Sequence, residues 1–560
     1  MTHKESFVAP SETRTVAHVV GTVLADLGAG HCFGVVGSGN FEMTAALRRA
    51  GVPFTAARHE GGAAMMADGY ARMSDRVAVL STHQGCGLTN ALTGIAEAAK
   101  SRTPLIVLTA DTAGAAVRSN FNVDQDALAR SVGAVPERVH APASAVADVV
   151  RAYRTALTER RTVVLSVPTD IQQAKVDFDP ALLPTVSTAQ PVRPSQQAVA
   201  ELAQLITKAK KPVFVAGRGA RHAARQLREL AEASGALLAT SAVAHGLFHD
   251  DPFNLGISGG FSSPFTAATV ADADLIVGWG CTLNMWTMRH GSLIGPDTTV
   301  VQVDTDLDAL GANRPIDLGV LGDCAETATD VTEVLSGVGG DTWRTPEMAQ
   351  RIESHARWAS EAIEDLSTET HIDPRVFSRE VNKLLPVERV VSVDSGNFMG
   401  YPSAYLDVPD EFGFCFTQAF QSIGLGLGTA IGAALAQPER LPVLATGDGG
   451  FLMAISELET AVRLGRPLVV LVYNDSAYGA EIHHFDQASD DDLETVTFPD
   501  TDIAAIARGY GAHGVTVRTV EDLSGVTDWL DGPREVPLVV DARIASDGGA
   551  WWLAEAFKGH

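Results

Sequence analysis

A chain of 560 residues is too long for one hydrophobic core and implies three or four domains of ordinary size. Its hydrophobic content of 46% and charged content of 20% exclude a disordered chain. With 42 basic against 68 acidic residues the formal charge is −26, which repels phosphate backbones and argues against nucleic acid as a partner; an anionic ligand would need a metal ion, helix N-termini or glycine-loop amides.

The chain opens on "MTHKESFVAPSETRT", which is polar and lacks an apolar signal core, and no later stretch reaches the roughly 18 to 20 apolar residues of a membrane span. The cytoplasm is the expected location, with no membrane partner. Short β-branched runs then alternate with Ala/Leu-rich helical stretches. They fall at 77–81, 104–110 and 162–168, at 212–217, 273–280 and 299–304, and at 389–394, 442–449, 467–475 and 536–543. These runs do not alternate in polarity, which suits strands buried on both faces of parallel sheets. The predicted class is α/β with doubly wound parallel sheets. Two stretches, 177–197 and about 337–374, read as linkers and divide the chain into 1–180, 195–340 and 373–545. The tail, 546–560, reads as a lid or a docked helix, and its two tryptophans favour docking. The first and third blocks share a plan of glycine-rich turns closing strands. The five cysteines, Cys32, Cys86, Cys281, Cys324 and Cys415, form no CxxC pair, so neither a disulfide framework nor a zinc site is expected.

The third block carries the strongest chemical signal. "LPVLATGDGG" reads as a buried strand entering a tight turn, where Gly447, Gly449 and Gly450 permit close backbone approach to a ligand. "FLMAISELETAVRLG" reads as one helix, with Phe451, Leu452, Ile455, Leu458 and Val462 near helical spacing and Gly465 as its stop. "PLVVLVYND" reads as the next strand, ending at Asn474. In a parallel sheet both turns lie on the carboxyl edge, so Asp448 and Asn474 face one point. Their oxygens and a backbone carbonyl make a hard site suited to Mg²⁺, and a helix start near Gly450 adds amides for phosphate. A bare Gly-Asp-Gly turn is by itself an ordinary βα connection. Here 24 residues, one helix and one strand, separate Gly449 from Asn474, a spacing that resembles the signature of thiamine diphosphate enzymes.

"FTAARHEGGAAMMADGYAR" (54–72) resembles the activating-glutamate segment of one group of these enzymes, that of acetolactate synthase, pyruvate oxidase and benzaldehyde lyase. The match places that acid at Glu60, which alone would read as a helix-start acid stabilised by the macrodipole. "HCFGVVGSGN" (31–40) matches the group's first strand and substrate-side loop. "VLSTHQGCGLTNALTGIAEAAKSRTPLIVLTAD" (79–111) matches its glycine turn, helix and strand, and "FQSIGLGLGTAIGAALA" (420–436) the segment supporting the bent cofactor. The resemblance covers nearly the whole chain. It implies a pyrimidine-binding, a central and a diphosphate-binding domain, with thiamine diphosphate and Mg²⁺ as cofactors. It implies a partly buried Glu60 bonded to the aminopyrimidine ring. It also implies that a 2-oxo acid, pyruvate first, is decarboxylated and its acyl carbanion equivalent passed to a second carbonyl. A non-ligating decarboxylase or an acyloin lyase is the alternative, and a non-catalytic cofactor-binding regulatory subunit is the alternative of another class. The group's architecture implies a homodimer or homotetramer, with glutamate and diphosphate clamp from different subunits.

The same resemblance puts cofactor contacts at Glu60, Asn397, Phe398, Gln421, Ser422, Ile423, Gly447, Asp448, Gly449, Gly450, Asn474, Ala477 and Tyr478, and metal ligands at Asp448, Asn474 and Ser476. Catalytic candidates are Glu60, His83, Gln84 and Gln125; substrate candidates are Gly37, Ser38, Gly39, Asn40, Phe121 and Asn122. Read without the resemblance, the latter are polar or glycine turn residues. Several positions depart from the pattern. Cys86 stands where relatives often have Pro and reads as a small packing residue, and Ile423 stands where they often place Met or Leu. Asn122 replaces the usual Gln of acetolactate synthases. The His pair of simple pyruvate decarboxylases is absent from the first block, and "HHF" (483–485) follows the metal segment instead. "GWGCTLNMW" (278–286) lacks the Arg-containing turn of flavin-binding synthases, which argues against FAD, while "AGRGAR" (216–221) leaves an adenine nucleotide open. "SDDDLE" (489–494) reads as a solvated loop or a lid.

Overall fold

A computed structural model describes residues 12–186, 190–335, 343–485 and 487–552. Most of the polar start (1–11), parts of both expected linkers (187–189 and 336–342), Asp486 and the end of the tail (553–560) lie outside the described residues.

Three six-stranded parallel sheets, each flanked by helices, make the molecule α/β and doubly wound. The first sheet runs Phe54–Ala56, Cys32–Gly34, Ala78–Thr82, Leu105–Asp111, Thr162–Pro168, Val135–Arg138 across its width. The third runs Phe414–Phe416, Arg389–Val393, Leu441–Gly447, Val469–Asn474, Leu538–Arg543, His513–Val517. Numbered within its own sheet, each has the order 2-1-3-4-6-5. The middle sheet, between Pro212–Ala216 and Leu318–Leu321 in the chain, has the order 3-2-1-4-5-6. Ala78–Thr82, Leu105–Asp111, Thr162–Pro168 and Val469–Asn474 are buried along their whole length, which is why these runs carry no polar alternation.

Two local readings are corrected. The first expected linker does not leave the first block at 177: Lys175–Phe178 pairs antiparallel with Glu12–Thr15, and Phe178 joins the core. The helix expected after Gly450 starts at Asp448 and breaks in two, Asp448–Met453 and Ser456–Leu464. The break turns Glu457 under the first block, where its buried carboxylate accepts from the amides of Arg58 (3.0 Å) and His59 (2.8 Å). Gly465, at φ 61°, ends the second piece.

The three blocks meet around one helix, Glu60–Ser74. It crosses Gly426–Ala436 so closely that a Cβ on Gly432 would overlap the Met66 carbonyl oxygen, and one on Gly69 the Thr429 carbonyl oxygen. At its far end Arg72 is buried between Asp68 (2.7 Å) and Glu97 (2.8 Å) and donates to the Phe416 carbonyl. Glu97 also accepts from the amides of Ala419 and Phe420, and Arg221 of the middle block donates to the Arg72 carbonyl. A buried cation between two acids costs little only when its remaining donors are satisfied, as here. The described part of the tail is docked: Trp552 is fully buried against Tyr401 and Phe261, and the Trp551 ring lies tilted against Trp358 with centroids 4.1 Å apart. Its described tryptophans form a turn rather than a helix. No helix among the described residues is long and apolar enough to cross a membrane.

Candidate active site

The parallel pairing of Leu441–Gly447 with Val469–Asn474 sets Gly447 beside Tyr473, so both strands end at one edge. Asp448 and Asn474 are buried there, with Ser476 half-buried in a left-handed conformation at φ 55°. They rim a cavity of about 390 Å³ that Gly449, Met453, Tyr478 and Phe498 also line. The Tyr478 ring covers Gly449, where a Cβ would lie 2.6 Å from it; a Cβ on Gly450 would lie 2.8 Å from Asp394 Oδ2. Both turn positions therefore need glycine.

Asp475, given no role by the sequence reading, has its carboxyl in hydrogen-bonding contact with that of Asp448. Burial above all, and for Asp475 the neighbouring Asp448 charge, hold both carboxyls above the usual carboxylate range. Strand alternation would turn Asp475 away from Asn474, but it lies past the strand end, where the chain bends back. Asp394 was missed for a different reason: its partners are remote in sequence. It accepts from the amides of Ser395 (2.8 Å), Gly424 (3.1 Å) and Leu425 (3.2 Å) and from the Thr446 hydroxyl (3.1 Å). It thereby ties the 421–425 segment to the glycine turn. Burial still pushes its carboxyl up to about 6.

The other expected cofactor contacts are distributed unevenly. Asn397 is buried, with an unpartnered Oδ1. Phe398 is a core residue stacked on Tyr473 at 5.4 Å. Gln421 is exposed with φ 64°, Ser422 donates to the Ile423 carbonyl, and Ile423 is half-buried. Ala477 is buried and donates its amide to Asp475.

The first block builds a separate half-site. Glu60 opens its helix half-buried, and its Oε2 accepts from Asn90 Nδ2 at 3.1 Å. Gly87 separates it from His83; a Cβ there would lie 3.4 Å from Glu60 Oε1. His83 Nδ1 lies 3.0 Å from the Gln84 carbonyl oxygen, which can only accept. This assigns the proton to Nδ1 and leaves Nε2 to accept from the Ser38 hydroxyl at 3.4 Å. The His83 ring sits edge-on to Phe121 and close over Gly37.

Three expectations change. Gln125, expected as a catalytic group, is buried with its amide engaged at both ends: it accepts from Gly85 N and donates to Ala110 O and Ser166 Oγ. It bolts the glycine turn in place. Asn40, expected as a substrate contact, is wholly buried, accepting from Gly37 N and donating to Val35 O and Ser81 Oγ. It fixes the loop that holds Ser38. Cys86 is no packing residue: it is exposed at the start of Cys86–Lys100, and that helix buries Gly87, Leu88 and Ala91 instead. Of the remaining candidates, Gln84 is buried with Oε1 packed over Gly39, and Phe121 and Asn122 are exposed. His483 lies against Gly549 of the tail, and 490–493 form an exposed helical turn capped by Ser489. In "AGRGAR", Gly217 and Gly219 lie backbone to backbone on Gly280, and Arg221 is taken by the Arg72 carbonyl.

The cavity beside Asp448 is lined by third-block residues alone. Apolar side chains stand exposed around both half-sites, with Val36, Phe41 and Phe121 by the first and Phe420, Met453 and Phe498 by the second.

Comparison with known proteins divides the chain in the same three-part way. Residues 14–129 match the N-terminal TPP binding domain of thiamine pyrophosphate enzymes, 199–331 their central domain and 394–542 their C-terminal TPP binding domain. The chain is 27% identical to a sulfoacetaldehyde acetyltransferase of Roseovarius nubinhibens, covering 94% of this chain and 92% of that one. It is 29% identical to a probable 2-ketoarginine decarboxylase of Pseudomonas aeruginosa, over 92% and 91% of the two chains. It is 25% identical to an acetolactate synthase of Mycobacterium bovis, over 89% and 83%.

Proposed function

The chain belongs to the thiamine pyrophosphate enzyme family, and on that premise we propose a Mg²⁺-dependent cytoplasmic enzyme that decarboxylates a 2-oxo acid and passes the acyl carbanion equivalent to a second carbonyl. One observation carries the reading: the carboxyls of Asp448 and Asp475 face each other, and Asp448 is buried on the rim of a cavity that Gly449, Asn474 and Ser476 also line. A divalent ion with phosphate oxygens relieves that repulsion. Asp448, the Asn474 amide oxygen and the Ser476 carbonyl would hold the ion, with the glycine-turn amides against the diphosphate.

When bound, the thiamine diphosphate ring supplies the electron sink for the carbanion left by decarboxylation. The chain's own residues do the rest. Asn90 occupies one Glu60 oxygen and leaves the other for the aminopyrimidine. His83, with Nε2 available to accept, handles protons beside Ser38. The separation of Glu60 from the Asp448 cavity supports a homodimer or homotetramer in which one chain's Glu60 serves its partner's diphosphate site. The acetyltransferase and synthase relatives favour acyl transfer; the decarboxylase relative favours a second reading, in which a proton replaces the acceptor.

Purified protein with Mg²⁺ and thiamine diphosphate is offered carbon-13-labelled pyruvate, then sulfoacetaldehyde and 2-ketoarginine, and products are followed by NMR. Acetolactate or acetoin establishes ligation from pyruvate. Acetaldehyde alone supports the decarboxylase reading. Intact pyruvate beside turnover of another donor moves the donor assignment to that compound.

A further inference from the structure

The Asn474 side chain has two ends of nearly equal shape and opposite chemistry: Oδ1 can ligate a cation, and the Nδ2 hydrogens repel one. Nothing within Asn474 chooses between them. The choice is made one strand away. Leu538–Arg543 pairs parallel with Val469–Asn474 and sets Asp541 opposite Val472, on the face Asn474 shares. Asp541 Oδ1 accepts from Asn474 Nδ2 at 2.7 Å, both residues being buried. Oδ1 of Asn474 is thereby turned the other way, toward the amide of Ser476 at 3.0 Å, on the rim it shares with Asp448.

From this geometry we infer that Asp541 is a positioning residue, which locks the Asn474 amide with its oxygen presented to the metal. A carboxylate can only accept, so a flipped amide would set oxygen against oxygen and aim its NH₂ group at the ion. Asp541 is itself held: Arg543 lies 3.0 Å from its Oδ2, and Arg543 is anchored by Asp500 and by the Thr501 carbonyl at 2.8 Å. Metal ligands oriented by an outer partner lose roughly 10- to 100-fold in metal affinity when that partner is changed. The inference rests on the metal reading of this site given above.

The test uses full-length protein loaded with thiamine diphosphate and titrated with Mn²⁺, whose free fraction is read by electron paramagnetic resonance. Metal-free thermal unfolding is recorded in parallel. Asp541→Asn can both donate and accept, so both Asn474 orientations become available. Its Mn²⁺ affinity is expected to fall about 10- to 100-fold. The double exchange Asp541→Asn with Asn474→Asp restores a one-way bond, with the acceptor on the metal side, and is expected to recover affinity to within a few-fold. A folded Asp541→Asn protein with unchanged Mn²⁺ affinity overturns the inference, and so does an exchange that folds but does not recover. If the single variant does not fold, the exchange alone decides by the same criterion. Failure of the unaltered protein to hold Mn²⁺ overturns the metal reading and this inference together.

Discussion

Among the described residues Asn90 is the side chain hydrogen-bonded to Glu60, whose helix is held from beneath by Glu457. Replacing the carboxylate by an amide therefore leaves the scaffold intact. Glu60→Gln is expected to lower kcat by about 10²- to 10⁴-fold while the thermal shift on adding thiamine diphosphate persists; steady-state kinetics beside thermal melts check both. His31 is a second testable residue. Burial, with a smaller contribution from Arg466, depresses it from 6.5 to about 4, beside Phe33 and bonded to Thr55. The unfolded chain binds this proton first, so the stability His31 contributes is complete above pH 6.5 and is lost as pH falls toward 4. The full loss is at most about 3 kcal/mol. His31→Gln is expected to flatten that part of a stability–pH profile measured by urea unfolding. At this scale the sequence showed residues whose meaning lies in local spacing: 24 residues separate Gly449 from Asn474, and Asp448 and Asn474 meet on one cavity rim. Asp394 and Asp541 were hidden because strand order, not spacing, brings them in, and Gln125 and Asn40 misled because a buried amide and a substrate-binding one look alike in a string of letters.

The elements were legible where their periodicity was one-sided. Uninterrupted apolar runs are buried strands, and Gly465 ends its helix as its type predicts. The break at residues 454–455 was not legible, since Ala454 and Ile455 suit a helix; burial of Glu457 beneath Arg58 and His59 overrides that propensity. The antiparallel pairing of 175–178 was equally hidden, because its partner lies at the opposite end of the first block. The crossing of Glu60–Ser74 with Gly426–Ala436 yields a further prediction. Gly432→Ala places a methyl on the Met66 carbonyl and forces the helices apart. Overpacking of this kind costs about 1 to 3 kcal/mol, read as a lowered thermal midpoint. Because the Glu60 end of that helix bears on the site, activity should fall at temperatures where the protein is still folded.

At the scale of the whole molecule, two of the six-stranded sheets share one strand order, 2-1-3-4-6-5, and the third has another, 3-2-1-4-5-6. The shared order was foreshadowed only by the glycine turns of the first and third blocks, because neighbours in a sheet are chosen by tertiary packing. If partner chains complete each other's sites, two inactive variants must rescue one another. Co-expressed Glu60→Gln and Asp448→Ala chains are expected to regain activity in mixed assemblies, each of which holds one intact site per pair, whereas separately purified homo-oligomers stay inactive. An assay of the tandem-tagged mixed species checks this, and absence of rescue would place both halves in one chain.

The docked tail has an optical consequence. Three of the seven tryptophans are in line: Trp551 lies against both Trp358 and Trp552, with ring centroids 4.1 and 4.3 Å apart. Indoles this close exchange excitation, so they absorb as a coupled chromophore and not as independent dyes. Their near-ultraviolet circular dichroism should carry a paired positive and negative band that collapses when the tail lifts. The same tail runs past His483, nine residues beyond Asn474. The protein thus contains an unlabelled gauge of whether its tail tryptophans stay docked, readable in a cuvette.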